Sequence, residues 1–569
     1  MSEEAEPSYM RIYHNLKNCG ISEAMEFLRY FGVTFSLWLV GYMHFSMAWI
    51  VLIIMIFLMW QFELEKKKKH RKHLIQCHQS SYVNRIEGLP SWVYFSEDEQ
   101  VEWLNKMLVQ MWPYIGGMVY KILKENVEPE LQKNLPKSLS SLYFETIDLG
   151  NTPPQFKHVV AYGKKSKDKK RSDDFIFDLA LFYRGDANLK LSVKSVKLGI
   201  SNIELQGPLR VIFKPLVSEY NPVGGVTVFF LNRPQLKFDL NNLLNVLDFP
   251  GLKSTLRRII NDVIASFVVL PNRVVVPLAE GVDASDLQYP IPEGVLQIGV
   301  LEAKDLTPCD FGLVKKGKSD PYTIVQVGAQ QFRTKLIKND LNPEWNETFE
   351  AFIDNQEGQE IFLQVYDEDT SSKDTKIGFI ETDIGSVVQE GMRNVWLQLQ
   401  GVEQGRIHLQ LNWLELTSSL QDLMPPAQPG TSVAVVIVKP ISASALPVTK
   451  KPSLQSIFCE ITVGESIQNT FIAYGEKTEW KQALRFLVSD PEGQEVKIKV
   501  IEAKGNKVMG KMAIDIRSLL NKPDMTIQQT YPLETSGEKS VLKCRFILRM
   551  LKAPAVNGAM NVEEKTLLR

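Results

Sequence analysis

The chain has 569 residues, 44% hydrophobic and 23% charged, with a formal net charge of −1. That length suits about three or four globular domains, and the charge balance excludes a global attraction to nucleic acid. Five cysteines stand far apart (Cys19, Cys77, Cys309, Cys459, Cys544) with no CxxC pair, and seven scattered histidines give no zinc-ligand spacing. Free thiols in a reducing cytosol are expected, without a disulfide framework.

A short cytosolic amino terminus (1–26) precedes an almost continuously apolar stretch, 27–60. One straight helix over it would measure roughly 51 Å against a hydrocarbon core of about 30 Å. Two short helices joined at Gly41 fit a hairpin that enters and leaves on one side, and a single tilted span is the competing reading. Glu3, Glu4 and Glu6 argue against a secretory signal peptide. The basic linker 61–86 opens with Lys66, Lys67, Lys68 and Lys69, which marks the cytoplasmic side and could add affinity for anionic headgroups.

Residues 87–280 read as an α+β module. Ser96-Glu97-Asp98-Glu99 is a capping box. Behind it Val101, Leu104, Leu108, Met111, Ile115, Met118 and Ile122 predict one apolar face of a long helix, with a kink at Pro113. A second helix follows Pro250. Between them lie strands that are apolar on both faces: Phe175, Phe177, Leu179 and Leu181 alternate with Ile176, Ala180 and Phe182. A sheet buried on both faces explains this pattern, and so does a sheet with one face lining a cavity for hydrocarbon chains.

Leu89-Pro90-Ser91-Trp92-Val93, Glu102-Trp103-Leu104-Asn105-Lys106, Met111-Trp112-Pro113, Asp248-Phe249-Pro250-Gly251-Leu252 and Val269-Leu270-Pro271-Asn272-Arg273 carry a resemblance. The segment resembles the synaptotagmin-like mitochondrial-lipid-binding (SMP) domain of the extended synaptotagmin and tricalbin family. The resemblance implies an elongated, curved, TULIP-like sheet wrapped by helices, an apolar groove for glycerophospholipid tails, and a homodimer through this domain. Phe175, Phe177, Leu179, Leu181, Leu191, Val193, Val211, Phe213, Val226, Val228 and Phe230 are the expected groove lining, with the strand parity left open. The basic segment from Gly163 to Arg171 is expected to be a solvated loop.

Residues 292–416 show short alternating segments, such as Val295 to Leu301 and Ile361 to Tyr366, which predict an all-β sandwich. Two loops carry acids. Gly317-Lys318-Ser319-Asp320-Pro321-Tyr322 and Asn342-Pro343-Glu344-Trp345 resemble a C2 domain. The resemblance implies a calcium site from the Cys309 backbone carbonyl, Asp310, Asp320, Asp367, Glu368, Asp369 and Asp374. Carboxylate oxygens suit calcium, which takes six to eight such ligands, and the loaded loops would face an anionic membrane surface. Asp374 stands one residue before the family's usual position, which here is Thr375.

After a linker (417–429), residues 430–552 repeat the sandwich pattern, with Glu479-Trp480 standing where Glu344-Trp345 stands. The corresponding loops lack acids, so no calcium is expected there. Lys497, Lys499, Lys504, Lys507 and Lys511 are a candidate basic face. A tail (553–569) follows.

The expected whole is a non-enzymatic tether at the cytosolic face of the endoplasmic reticulum. It would move glycerophospholipids at contact sites with the plasma membrane or another organelle, regulated by calcium, with no nucleic-acid partner. The alternative is a calcium-triggered docking or fusion protein of synaptotagmin type without lipid transfer. A C2-bearing phospholipase is a distant third, because the sequence contains neither GxSxG nor HExxH.

Overall fold

A computed structural model describes residues 97–134, 141–164, 174–193, 196–216, 222–242, 252–279, 281–308, 319–368, 374–422, 431–447, 456–474, 478–480, 482–537 and 539–553. The expected hairpin (27–60), the basic linker (61–86), Ser96 and the loop 165–173 lie outside the described residues. Among the described residues no helix is long and apolar enough to cross a membrane.

The first module opens with helix α1 (Glu97–Ile122), a π-helical turn (Leu123–Val127) and α2 (Glu128–Asn134). Eight strands follow in one sheet: β1 (Tyr143–Asp148), β2 (Gln155–Lys164), β3 (Asp174–Arg184), β4 (Asn188–Val193), β5 (Val196–Phe213), β6 (Gly225–Phe230), β7 (Gln235–Asn242) and, after helix α3 (Leu252–Val268), β8 (Val274–Pro277). β5 is the spine. One edge of it pairs with β4 and then β3, and the other with β7 and then β6. Its 18 residues span roughly 56 Å of backbone at the usual strand rise.

Alternation alone would swap the faces of so long a strand at any odd insertion. β5 contains one, a bulge between Ser201 and Glu204, with Asn202 at φ 53°. Leu236 and Leu240 share one face of β7, and they stand opposite Leu205 and Ile200 on either side of the bulge. Ile200 before it and Leu205, Leu209, Val211 and Phe213 after it therefore lie on the same side. The bulge keeps one apolar face continuous along the whole spine.

Helix α1 packs Val101, Leu104 and Leu108 over this face. The Asn105 side-chain amide exchanges two hydrogen bonds with the Phe156 backbone, at 2.8 and 3.0 Å, and so pairs the helix to edge strand β2. The sequence expectation for α1 needs one correction. Met111 and Met118 are exposed, and Trp112 is buried in their place, its indole N–H donating to the Gly150 carbonyl at 3.0 Å. At 3.6 residues per turn the two methionines fall on the rim of the stripe, beside its packed centre.

A short helix α4 (Ala284–Gln288) leads to the first sandwich. It comprises β9 (Gly294–Lys304), β10 (Pro321–Val327), β11 (Gln330–Arg333), β12 (Glu344–Ile353), β13 (Glu360–Asp367), β14 (Thr375–Asp383), helix α5 (Ile384–Glu390), β15 (Met392–Gln398) and β16 (Arg406–Thr417). Its core is built around Trp345, Leu363, Val365, Leu409 and Trp413. The second sandwich comprises β17 (Ala434–Ser444), β18 (Ser456–Val463), β19 (Ser466–Asn469), β20 (Ala473–Tyr474), β21 (Thr478–Glu479), β22 (Leu484–Val488), β23 (Glu495–Glu502), β24 (Lys507–Asp515), helix α6 (Arg517–Leu520), β25 (Thr526–Pro532) and β26 (Val541–Lys552). Cys459 and Cys544 are buried free thiols in its core. β16 pairs with β26 from Glu415↔Lys552 to Thr417↔Met550, so one nine-stranded sheet runs through both sandwiches.

Buried charge joins the three modules. The Asp354 side chain, 1% exposed, accepts from Arg485 at 2.7 and 2.9 Å and from Arg273 at 3.0 Å. Arg273 belongs to the first module, Asp354 to the first sandwich and Arg485 to the second. Burial alone would raise the Asp354 carboxyl; the Arg485 and Arg273 guanidiniums outweigh it and hold the group below its ordinary range. Burial likewise pulls Arg273 down to about 10, against the attraction of Asp354.

Candidate functional site: an apolar trough and an acidic loop pair

The antiparallel register brings nine of the expected lining residues together on one face. Phe175, Phe213 and Val226 form one row, Phe177, Val211 and Val228 the next, and Leu179, Leu209 and Phe230 a third. Leu181 follows along β3. Val276 and Val274 extend the first two rows onto β8. Leu179 and Phe230 are buried, and the other lining residues of these rows are half-buried, except Phe175, Val274 and Val276, which are exposed. The rings of Phe175, Phe177 and Phe213 touch, with centroids 4.8 to 6.4 Å apart.

The two halves of the face differ. At the β1–β4–β7 end it is closed: Leu191 is fully buried with Phe144, Ile200 and Phe238 under Leu256, Ile259 and Val263 of α3. Leu191 thus belongs to the covered half, and the Val193 side chain is not among those described. At the other end α1 covers the β2–β3 side, and the end of α3 covers Phe230 through Ala265 and Val269. Between these banks Phe175, Val274 and Val276 are exposed, while Phe177 and Val211 pack partly against the α1 cluster. Among the described residues this half is an apolar trough that is only partly covered.

The reverse face of the same strands is polar where it matters. Arg210, 1% exposed, grips both oxygens of Asp178 at 2.6 and 2.7 Å and donates to Asn355 and the Glu357 carbonyl of the first sandwich. Strand alternation therefore places the docked sandwich behind the open rows.

In the first sandwich the acids divide into two sets. The Asp320 backbone N–H donates to Asp367 Oδ1 at 2.6 Å, and the Asn339 N–H donates to Asp320 Oδ1 at 2.7 Å, so these two carboxylates meet at one end of the sheet. Glu368 and Asp374 do not join them. Glu368 holds Arg333 at 2.9 Å, and Asp374 accepts from the Tyr322 hydroxyl at 2.6 Å. Thr375 stands opposite Asp367 in the register, and Glu368 and Asp374 lie just beyond these strand ends, turned to Arg333 and Tyr322. Arg333 covers the Tyr322 ring at 3.9 Å, and Tyr322 stacks on Tyr366. Burial and the Asp374 carboxylate together push the Tyr322 phenol well above its ordinary value. Cys309, Asp310 and Asp369 lie outside the described residues. Among the described residues no three His, Cys, Asp or Glu side chains are grouped to hold a metal.

Residues 97–279 match the synaptotagmin-like mitochondrial-lipid-binding domain, and 294–399 and 434–533 each match the C2 domain. A solved structure of extended-synaptotagmin 2, covering its SMP domain and two C2 domains, is 32% identical, with a TM-score of 0.60 over 79% of this chain and 99% of that one. The chain belongs to the extended synaptotagmin family. Extended synaptotagmin-2-B of Xenopus laevis is 33% identical across 92% of this chain, and extended synaptotagmin-2 of Homo sapiens 32% across the same share. This extended-synaptotagmin chain spans 64% and 58% of the length of those relatives.

Sequence reasoning missed three features of this family member. Leu205 and Leu209 belong to the lining; their alternation with Val211 and Phe213 was readable. The exposed stripe of α1, Trp103, Met107, Met111, Tyr114 and Met118, was readable as a second face at spacings of three and four. The Asp354 hub left no local signal, because both its partners lie far away in sequence.

Proposed function

We propose that the chain is a tether of the endoplasmic reticulum that carries glycerophospholipids between membranes at contact sites, with calcium acting through the first C2 sandwich. The observation that carries the reading is the single apolar face along β5, closed by helices at one end and open at the other. Each acyl methylene taken from water is worth about 0.8 kcal/mol, which makes free desorption of a lipid slow. A continuous apolar trough lowers that barrier by contact alone. It needs no reactive side chain, and net movement follows the lipid gradient.

The calcium part rests on the Asp320–Asp367 pair, to which the Cys309 carbonyl, Asp310 and Asp369 would add. The donors are hard oxygens, which fit calcium. When bound, the ion supplies positive charge that offsets the carboxylates and favours anionic headgroups. The Asp320 and Asn339 N–H groups hold the two carboxylates in place beforehand. The apolar stretch 27–60 is the proposed anchor. The exposed α1 stripe, with Trp103 66% and Tyr114 83% accessible, supports a second copy of this module as partner.

Native mass spectrometry of the compact unit Tyr94–Arg569 tests the reading. Co-purified phospholipid, exchangeable with labelled lipid, is expected. A lipid-free unit that takes up no labelled phospholipid refutes it.

A further inference from the structure

The two sandwiches share one register, which lets their loop ends be compared residue by residue. Pro321↔Asp367 through Val327↔Ile361 in the first corresponds to Ile457↔Glu502 through Val463↔Val496 in the second. Asp367↔Thr375 through Glu360↔Asp383 corresponds to Glu502↔Lys507 through Glu495↔Asp515, and both sandwiches carry a bulge at the same step. By this count Ser456 stands for Asp320, Glu502 for Asp367 and Lys507 for Thr375, and the shorter turn of the second sandwich carries Lys504. The second sandwich thus has a serine in place of one acid, keeps the other as Glu502, and adds Lys504 and Lys507 beside it.

The same register places Phe471, Ile472 and Tyr474 at the positions of Lys335, Leu336 and Lys338. Phe471 is 69% and Tyr474 73% accessible. Tyr474 pairs with Ser456, whose carbonyl accepts from the Ala503 N–H at the start of the Lys504–Lys507 turn. Tyr474, Lys504, Lys507 and the exposed Val508 therefore crowd one end of one sheet.

The wider five-lysine face is not uniformly charged. Lys497 is held by Glu495 at 2.7 Å and Lys499 by Glu460 at 2.6 Å. Lys504 and Lys507 have no ion-pair partner among the described residues. Glu502 stands opposite Lys507 in the register.

We infer that this end of the second sandwich is a constitutive docking surface for an anionic bilayer, with Lys504 and Lys507 meeting the headgroups and Tyr474 and Val508 entering the interface. The occupant follows from charge and shape together. Unpaired lysines beside exposed apolar tips match a surface that is negative outside and greasy beneath. The first sandwich needs calcium to reverse the sign of its acidic end. The second carries the positive sign in its sequence, so its docking is independent of calcium. The inference does not depend on lipid transfer.

The test uses the full chain in phosphatidylcholine donor vesicles, its presence checked by flotation. Labelled acceptor vesicles contain phosphatidylcholine with or without phosphatidylserine, and EGTA removes calcium. Capture of phosphatidylserine vesicles is expected in EGTA, weakening with salt. Lys504→Gln and Lys507→Gln should each lower the apparent affinity roughly fivefold, and about 25-fold together. Tyr474→Ala should lower it further, with thermal midpoints unchanged. Asp320→Asn should abolish only the calcium-dependent increment. The inference is overturned if EGTA capture is absent, if neutral vesicles are captured equally, if the lysine pair has no effect, or if Lys497→Gln and Lys499→Gln remove capture instead. Lipid exchange measured on the same vesicles reports separately on the transfer reading.

Discussion

Val228→Glu combined with Val211→Glu puts two carboxylates into the middle row of the trough. These residues face each other across β5 and β6, beside Phe177 on β3, and both are half-buried, so the charges reach water and the sheet still folds. Rows on one face repeat about every 7 Å along a strand, a distance covered by about five methylenes of a chain lying along it. Full burial of those groups is worth about 4 kcal/mol at 0.8 each. The trough is open on one side, so about half of that, roughly 2 kcal/mol, depends on this row. Lipid affinity should fall about 30-fold. Lipid occupancy by native mass spectrometry and exchange of fluorescent phospholipid between vesicles measure the loss. Val160→Glu, on the reverse face and exposed, is the control and should change neither. Wild-type occupancy and exchange in the double variant, with its melting temperature intact, would refute the trough as the lipid path.

The Asp354 hub predicts that Asp354→Asn leaves Arg273 and Arg485 without a buried countercharge and costs about 3–5 kcal/mol, read as a drop in thermal midpoint and a wider distance distribution between the first module and the second sandwich. Its folded carboxyl lies below the ordinary value, so its stabilisation is complete above about pH 4 and lost as pH falls through the depressed value; small-angle scattering in that acid window should show the modules separating. Gly328 sits at φ 58°, and an added Cβ would lie 2.3 Å from the Leu270 carbonyl oxygen across the module junction, so Gly328→Ala should destabilise by more than about 1 kcal/mol in denaturant melts. Asp320→Asn and Asp367→Asn should weaken calcium binding at least about tenfold by calorimetry, while Glu368→Gln and Asp374→Asn stay within about threefold; a lost ion in either of the latter would contradict the outward placement of those side chains.

Much of this architecture was written in local pattern. Phe175 to Leu181 and Val226 to Phe230 alternate cleanly, and Leu256, Ile259 and Val263 recur at helical spacing, so strands and helices could be placed. Which parity faced the trough was not readable, because both faces of β3 are apolar: Ile176 is buried on the reverse side with Ile212 and Phe229. The acidic loops of the first sandwich show the same limit at smaller scale. The family resemblance put Glu368 and Asp374 among the ligands, but which way a residue beside a strand end turns depends on its register with Asp367. Met111 and Met118 fit the helical period yet sit at the rim, since periodicity gives direction and says nothing of how wide the packed stripe is. Long-range charge pairing, as at Asp354 and Arg210, leaves no periodic trace at all.

The bulge at Asn202 makes the arithmetic of β5 unforgiving. Strand side chains have a period of two, and one extra residue resets the count midway. Deleting a single residue between Ser201 and Glu204 would turn half of the spine over, presenting Arg210 to the apolar face and Val211 to the docked sandwich. The length of this segment, more than the identity of any one side chain in it, keeps the apolar face from being interrupted halfway.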